Sequence, residues 1–547
     1  MTDLGGAQVP KKKRFAIIQG TDEDEVREQL KAALSGIPGV YERARQLTEV
    51  IRTAATPDSA AVRRAVNQPL LVPIAKSGLR TLLTRYCDFF EYKRRNGDLV
   101  LDEKGRPVLV PSHPKEWAMT ALYELPTYPV PQLVSVVEAP VILATGRILQ
   151  TPGHDERSGL FYSPAEGLRV PPVSDAPTAD EVEVAKIYLD EVVCDFPFEE
   201  ECHRSGWYAG VLSYFARWAY EGPTPLFLIN KNSPGVGGSR LAEAAQFICI
   251  GRTGTLYTVA SDNVQEKKAL DAIALNGDLL VYIDNISEST PFGTGELDKA
   301  LTCSAWDCNV KFKDGTYRVP FLCIFWGNGN QVQFRRGADT FRRTQLISLM
   351  TKLDKPQERE GFRHPDLLPW ILERRGDLIW SFLTLLRAFF VAGKPHHKLK
   401  RWGSYEGWSS IVRECLVFHG YPDPYLASDK VVLEADPAQV AMGRLLEGWR
   451  ELCEESGHPE GLSAYEAIDL LKDELEQRRL GKVKKHDDLI AAINEITRTR
   501  TALASPTDLG ARLRGKKKRP FNGLMIVNEE AGRRGNIWRV VASADAP

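Results

Sequence analysis

The chain lacks any apolar run approaching the roughly 18 residues a membrane-spanning helix needs, which argues against a helical membrane protein. The cluster Lys11-Lys12-Lys13-Arg14 has no apolar region behind it, so it does not read as a secretory signal. Paired cysteine motifs are missing too. The nine cysteines (Cys87, Cys194, Cys202, Cys249, Cys303, Cys308, Cys323, Cys415 and Cys453) are odd in number, scattered and never in CxxC spacing. Neither a zinc site nor a disulfide framework is expected, and reduced cytosolic thiols are the simple reading. There is no excess of charge of one sign: 71 Lys and Arg face 72 Asp and Glu, a net charge of -1. The sum therefore says nothing about a nucleic-acid partner, although both chain ends carry concentrated basic runs. No internal repeat is visible. At 547 residues the length prior suggests about three domains.

What is present reads as an α/β protein. Residues 1–14 form a basic tail expected to be disordered, and 15–150 an α+β module. In that module Phe15-Ala16-Ile17-Ile18 reads as a strand and Glu23 to Leu34 as an amphipathic helix capped near Thr21. Further helices are expected around 79–92 and 114–125, with short strands at 98–101, 107–110 and 140–149. The Pro/Gly-rich stretch 151–177 reads as a connecting arm over the surface. Within 178–430, strands near 226–229, 255–259, 279–284 and 320–326 alternate with helices at 239–249, 264–275 and 294–302. That alternation predicts a parallel sheet flanked by helices. Residues 431–547 read as helical and charged, ending in a small basic α+β unit.

The most informative segment is Leu226-Phe-Leu-Ile-Asn-Lys-Asn-Ser-Pro-Gly-Val-Gly-Gly-Ser-Arg240. An apolar strand enters a glycine-rich turn and a helix follows, the arrangement that cradles phosphates with backbone N–H groups. Pro234, Gly235, Gly237, Gly238, Ser239 and Arg240 are the candidate phosphate and nucleotide contacts. The pattern calls for Gly-Lys-Ser/Thr at its end, and this chain has Gly237-Gly238-Ser239. Lys231 and Arg240 are the nearby basic residues available to compensate. The missing charge predicts slow hydrolysis, which Gly238→Lys is expected to raise.

About forty residues downstream the apolar strand Leu279-Leu-Val-Tyr-Ile-Asp284 ends in an acid, as in P-loop enzymes that hold magnesium beside the phosphates. Asn285 follows where many such enzymes place a glutamate, and Glu288 lies close by. Val310 to Val319 reads as a hairpin turning at Asp314-Gly315. Its tip would carry Lys311, Lys313 and Arg318 towards a phosphate backbone, or simply into solvent. The next strand ends in Gly327-Asn328-Gly329-Asn330, where a polar side chain meets ligands in an open α/β sheet. Arg342 and Arg343 follow, as a surface pair or a finger reaching a neighbouring subunit.

This order of glycine loop, Ile-Asp-Asn strand, hairpin, Gly-Asn segment and Arg-Arg resembles the ATPase domain of superfamily 3 helicases. It is most similar to the helicase module of phage and mobile-element primase-helicases of the poxvirus-type group. The segments Gly361-Phe-Arg-His-Pro-Asp-Leu-Leu368, Trp402-Gly-Ser-Tyr-Glu-Gly-Trp408 and Thr21-Asp-Glu-Asp-Glu-Val26 also resemble these proteins. The resemblance covers about residues 15–430 and implies a P-loop, AAA+-like core forming a hexameric or similar ring. It implies a DNA helicase or translocase of phage or mobile-element replication, binding ATP, Mg2+ and single- and double-stranded DNA. Carried over, Gly235, Gly237 and Ser239 contact phosphate and magnesium, Asp284 holds magnesium, Asn328 or Asn330 is the polar sensor, and Arg342 or Arg343 the finger. A priming enzyme or polymerase would be a separate chain, and the compartment the cytoplasm of a bacterial or phage-infected cell. Gly238 keeps a second class open, a DNA-binding or assembly scaffold with weak or no hydrolysis.

At the other end Arg512, Arg514, Lys516, Lys517, Lys518 and Arg519 place six basic residues in eight positions. They follow helices expected at 487–497 and 506–514, the latter capped by Ser505 or Thr507, and precede strands at 521–527 and 536–541. Helices followed by a basic hairpin resemble a winged helix, which implies a DNA-binding unit.

Overall fold

In the computed structural model the glycine-rich segment leaves the C-terminal edge of a parallel sheet. The structure describes residues 14–52, 68–258, 263–309, 316–335, 339–434, 437–479, 485–499, 502–517, 519–521, 523–529 and 536–542. The chain divides into two compact units, Met1–Ala427 and Ser428–Pro547.

Five parallel strands organise the larger unit: β1 (Leu226–Lys231), β2 (Thr255–Leu256), β3 (Leu280–Ile286), β4 (Ile324–Asn330) and β5 (Thr344–Leu349). Their spatial order is β2-β3-β4-β1-β5, so β4 lies between the strand that feeds the loop and the strand that ends in the acid. Helices α1 (Ala179–Val193), α2 (Glu201–Ala216), α3 (Gly238–Ile250), α4 (Asn263–Asn276) and α5 (Leu367–Val391) pack around the sheet. Leu226, Phe227, Leu228 and Ile229 are all buried, as a strand covered on both faces requires. The expected strand at 320–326 is displaced: Gly327-Asn328-Gly329-Asn330 is itself strand, not the turn that follows one. Space is the reason. A Cβ on Gly327 would sit 3.1 Å from both Leu228 Cδ1 and Ile286 Cδ1, so glycine here lets three strands close up.

Helix α2 is buried along almost its whole length because its small residues lie against the sheet. A Cβ on Gly210 would meet Trp326 Cη2 at 2.5 Å and Phe227 Cγ at 3.0 Å, and Trp326 is fully buried. Gly210→Ala is therefore an overpacking change, expected to cost about 1–3 kcal/mol and lower the melting temperature by several degrees. An unchanged melting curve would show that the helix can shift away from the sheet. The far end of α3 is held by Arg375 of α5, a buried guanidinium that donates to the carbonyls of Ile248 (3.0 Å) and Cys249 (2.8 Å). These are carbonyls that a helix end leaves without partners, so α5 fixes the axis of the helix that opens at the loop.

Among the described residues the N-terminal part is α+β, with two corrections. The first helix spans Glu23–Ser35, and its cap is Asp22, not Thr21: Asp22 Oδ1 accepts from the amides of Asp24 and Glu25. The helix expected over 79–92 runs only Lys76–Tyr86. Cys87–Tyr92 is then a strand parallel to Phe15–Ile18, with Cys87 and Phe89 buried and Asp88 exposed between them. That period-two alternation outweighs helix propensity. Residues 151–177 carry two short strands, Gly153–Asp155 and Leu160–Tyr162, in a sheet with Ser135–Val137.

The smaller unit places helices Pro437–Glu455, Ala464–Arg479, Asp487–Thr497 and Pro506–Lys516 against a four-stranded antiparallel sheet. Its core includes Leu446, Trp449, Ile493, Leu509, Leu513 and Trp538. Ser505 caps the last helix, accepting from the Asp508 amide at 3.1 Å. The nine cysteines are free thiols. Among the described residues no helix is long and apolar enough to cross a membrane.

Candidate functional site

β1 delivers the chain into the loop, and the loop is pinned before the helix begins. Asn232 and Thr351 exchange two hydrogen bonds, Asn232 Nδ2 to the Thr351 carbonyl (2.8 Å) and the Thr351 amide to Asn232 Oδ1 (3.1 Å). Gly235 and Gly237 then take left-handed backbone angles (φ 82° and 98°) that a side chain would strain. Gly237 is the N-cap of α3, and no side chain caps that helix. Its first-turn amides are thus left to an anion, with Pro234, Gly235, Ser239 and Arg240 exposed around them.

Two strands and a helix converge on one amide. Asn328 of β4 is buried, and its Nδ2 donates both to Ser239 Oγ at the start of α3 (2.8 Å) and to Asp284 Oδ1 of β3 (3.1 Å). The same Asp284 oxygen accepts from the Tyr282 hydroxyl (2.8 Å) and the Asn285 amide (2.9 Å). Burial, with the Tyr282–Asp284 hydrogen bond behind it, pushes the Tyr282 hydroxyl well above its ordinary pKa, which keeps it a donor. Asn285 takes a left-handed angle (φ 51°), and the pairing of β3 with β4 slips between Ile283 and Ile286. This irregularity leaves Asp284 exposed at the mouth of the loop. Asn330, the alternative sensor, sits at the end of β4 opposite Lys231 in the β1 register.

The donor set suits a hard cation. Ser239 Oγ and the Asp284 carboxylate both offer oxygen; Oδ1 is taken by three hydrogen bonds, which leaves Oδ2 for a cation, and the shared Asn328 amide keeps hydroxyl and carboxylate close. Among the described residues no cluster of three His, Cys, Asp or Glu forms a protein-only metal cage. Magnesium is commonly bound by one or two side chains completed by substrate phosphates and water. Asp284 and Ser239 would hold such an ion, which would neutralise phosphate charge.

Beside the loop lies a cavity of about 570 Å³, lined by Phe196, Val236, Arg240, Arg359, Phe362 and His364 among others. Its far wall is tied to the end of α1. Arg359 donates to the Asp195 carbonyl (2.6 Å), and His364 stacks on Trp370 (4.0 Å between rings) while bonding Glu191. The Arg359 guanidinium lies over the Phe362 ring at 4.9 Å. A pocket of this size, with aromatic and cationic walls, suits a nucleobase and ribose. Of these only Arg240 was expected at a site; Phe196, Arg359, Phe362 and His364 were not, because they lie in stretches far from the loop in sequence. The segment from Gly361 to Leu368 was the available signal.

The remaining candidates are distributed unevenly. Arg240 is ion-paired with Glu243 (3.2 Å) on the surface of α3, at the cavity rim. Arg343 is tied down within its own chain, to the Asp298 carbonyl and to the Asp298 and Asp339 carboxylates. Arg342 is exposed. Its guanidinium lies over the Phe341 ring, and its carbonyl accepts from Trp402 Nε1 (2.8 Å). The expected hairpin is displaced: Thr316–Pro320 pairs with Ala305–Asn309, so Asn309 and not Lys313 lies opposite Thr316, and exposed Arg318 lies opposite Asp307 and not Lys311. Its tip, with Lys311 and Lys313, lies outside the described residues. In the smaller unit Arg512, Arg514, Lys517 and Arg519 are exposed, and among the described residues no carboxylate pairs with them. Lys516 lies over the Phe521 ring, and Lys518 is outside the described residues.

No protein-family model and no curated protein matches the chain. Among solved structures, the A form apo structure of the NrS-1 C-terminal region is 14% identical, covering 92% of this chain and 96% of that one, with a TM-score of 0.39. The X-ray structure of the JCV helicase is also 14% identical, covering 47% of this chain and 73% of that one, with a TM-score of 0.21.

Proposed function

We propose that this protein is a nucleotide-driven DNA helicase or translocase of a replicating element, binding ATP with Mg2+ and working as a homo-oligomeric ring. The observation that carries this reading is the Asn328 side chain, which joins the loop helix at Ser239 to the acid at Asp284. A glycine loop or an acidic strand end is common by itself, but their connection through a buried amide on the strand between them builds a phosphate–metal site. In this reading the loop amides bind the phosphates and the neighbouring cavity holds the base. Asp284 and Ser239 place the cation, and Arg342 reaches the site of the next subunit. The deciding measurement is ATP turnover with and without single-stranded DNA, where DNA-stimulated hydrolysis is expected.

Gly238 favours a second reading, a scaffold that binds nucleotide without turning it over. Tight magnesium–ATP binding with no hydrolysis on any DNA would establish it in place of the first.

DNA contact is assigned to the exposed cations of a winged-helix-like C-terminal unit. Leu509 and Leu513 are part of that unit's core, so deleting the segment would unfold it, and charge removal is the cleaner test. Changing Arg512, Arg514, Lys517 and Arg519 to Ala should weaken duplex binding for all sequences alike. The slope of log affinity against log salt should fall by about 0.9 for each phosphate that the variant no longer neutralises. An unchanged slope would reduce the run to a solvated face.

A further inference from the structure

The lysine that the glycine loop lacks has a spatial replacement. Lys231 is the last residue of β1, and its backbone carbonyl is held by the Gln331 amide (2.9 Å). Its side chain lies across Gly238. A Cβ at 238 would overlap Lys231 Cδ, stand 3.1 Å from Lys231 Cε and only 2.8 Å from Asn328 Oδ1. The half-buried ammonium has no hydrogen-bond or ion-pair partner among the described residues. Arg240, the other basic candidate, is already paired with Glu243. Asn328 Oδ1, facing the same spot, is also buried without a hydrogen-bond partner.

We infer that Lys231 supplies the cationic contact to the nucleotide's terminal phosphates, entering from the strand before the loop instead of the helix after it. Gly238 is then a requirement of the site: only a residue without a side chain lets the lysine stem cross the first turn of α3. A lysine suits this task because its flexible four-carbon arm ends in a compact ammonium that meets a phosphate as a point charge. Burial depresses the Lys231 pKa, and the charge of Asp284 partly offsets this. An ammonium short of solvation and of protein partners gains more from an arriving phosphate than one already paired. On this inference Gly238→Lys would not speed hydrolysis, since the new side chain would meet the one already there.

The inference rests on reading this site as a nucleotide site, and the experiment separates the two. Magnesium–ATP and AMP are titrated calorimetrically into the full chain and into Lys231→Ala, Gly238→Lys and the double variant, with melting curves for each. Lys231→Ala should lose at least about tenfold in ATP affinity while AMP, held through base and ribose, changes little. Gly238→Lys alone should bind ATP no better than the unaltered chain. The double variant should recover much of the loss, because a lysine at 238 then has room. Unchanged ATP affinity in Lys231→Ala, or a double variant as weak as that single one, overturns the inference even if a single variant folds poorly. An unaltered chain that binds neither nucleotide instead overturns the nucleotide reading itself.

Discussion

Arg342→Ala should lower saturated ATP turnover by roughly a thousandfold while leaving nucleotide affinity unchanged, the signature of an arginine finger acting on a neighbour's phosphates. The two adjacent arginines differ in what they touch. Arg343 is engaged with Asp298 and Asp339, and Thr340 Oγ1 (2.6 Å) and the Asp339 amide (2.9 Å) also donate to Asp298. Arg343→Ala breaks that network and should cost about 1–3 kcal/mol of stability, seen as a lowered melting temperature. Arg342 is exposed and free of carboxylates among the described residues, so its loss should leave the melting curve alone. In the proposed ring, its position would make such a finger intermolecular. Both arginines precede β5, whose first residue, Thr344, lies beside Leu226, whereas Leu349 lies beside Lys231 at the loop. They therefore stand at the opposite edge of the sheet, roughly 17 Å of strand away from the loop. Mixing Arg342→Ala with a chain defective at Asp284 should restore part of the turnover, because some interfaces then pair two intact halves. Full activity in Arg342→Ala would remove it from the mechanism, and equal losses for both arginines with unaltered melting would deny the distinction drawn here.

The elements that follow from periodicity were legible in the sequence: β1, α3, α4, the acidic strand and the Ser505-capped helix all fall close to where their patterns place them. What was misread has specific physical causes. Gly327-Asn328-Gly329-Asn330 has the composition of a turn, yet those glycines serve close strand packing, so Asn328 is a buried strand residue. Cys87–Tyr92 looked like a continuation of a helix because its partner strand, Phe15–Ile18, is distant in sequence. The cavity beside the loop is built from residues near 196 and near 360, whose meeting no spacing rule predicts. Lys231 was visible as a nearby basic residue. Its passage over Gly238 depends on the direction in which a strand's last side chain folds back, and periodicity does not encode that. The missing lysine thus read as a deficit until the space above Gly238 was seen to be filled.

Asp284→Asn should abolish the magnesium-dependent part of nucleotide affinity and lower turnover by about a hundredfold to a thousandfold, without unfolding the protein. The substitution preserves shape. Asn can present its carbonyl oxygen to the Tyr282 hydroxyl, the Asn285 amide and Asn328 Nδ2, the three groups that now donate to Asp284 Oδ1. What it removes is the negative charge at the mouth of the loop, and with it the anionic oxygen that a hard cation requires. Two titrations of ATP, one with magnesium and one with EDTA, separate the effects. The unaltered chain should bind more tightly with magnesium, while the variant should bind with one affinity in both. The EDTA affinity should not fall, since the variant no longer sets a carboxylate against the phosphates. Ser239→Ala should repeat the pattern more weakly, because it deletes a neutral oxygen. Asn328→Leu should resemble Asp284→Asn although it removes no candidate ligand, since it releases both oxygens from their shared donor and lets them drift. A double-mutant cycle between Ser239 and Asp284 should then show coupling in the presence of Asn328 and lose it in the Asn328→Leu background. Additive behaviour with Asn328 present would mean that the amide is a packing feature and does not fix the spacing of the cation's ligands. A magnesium effect that survives Asp284→Asn intact would place the metal elsewhere.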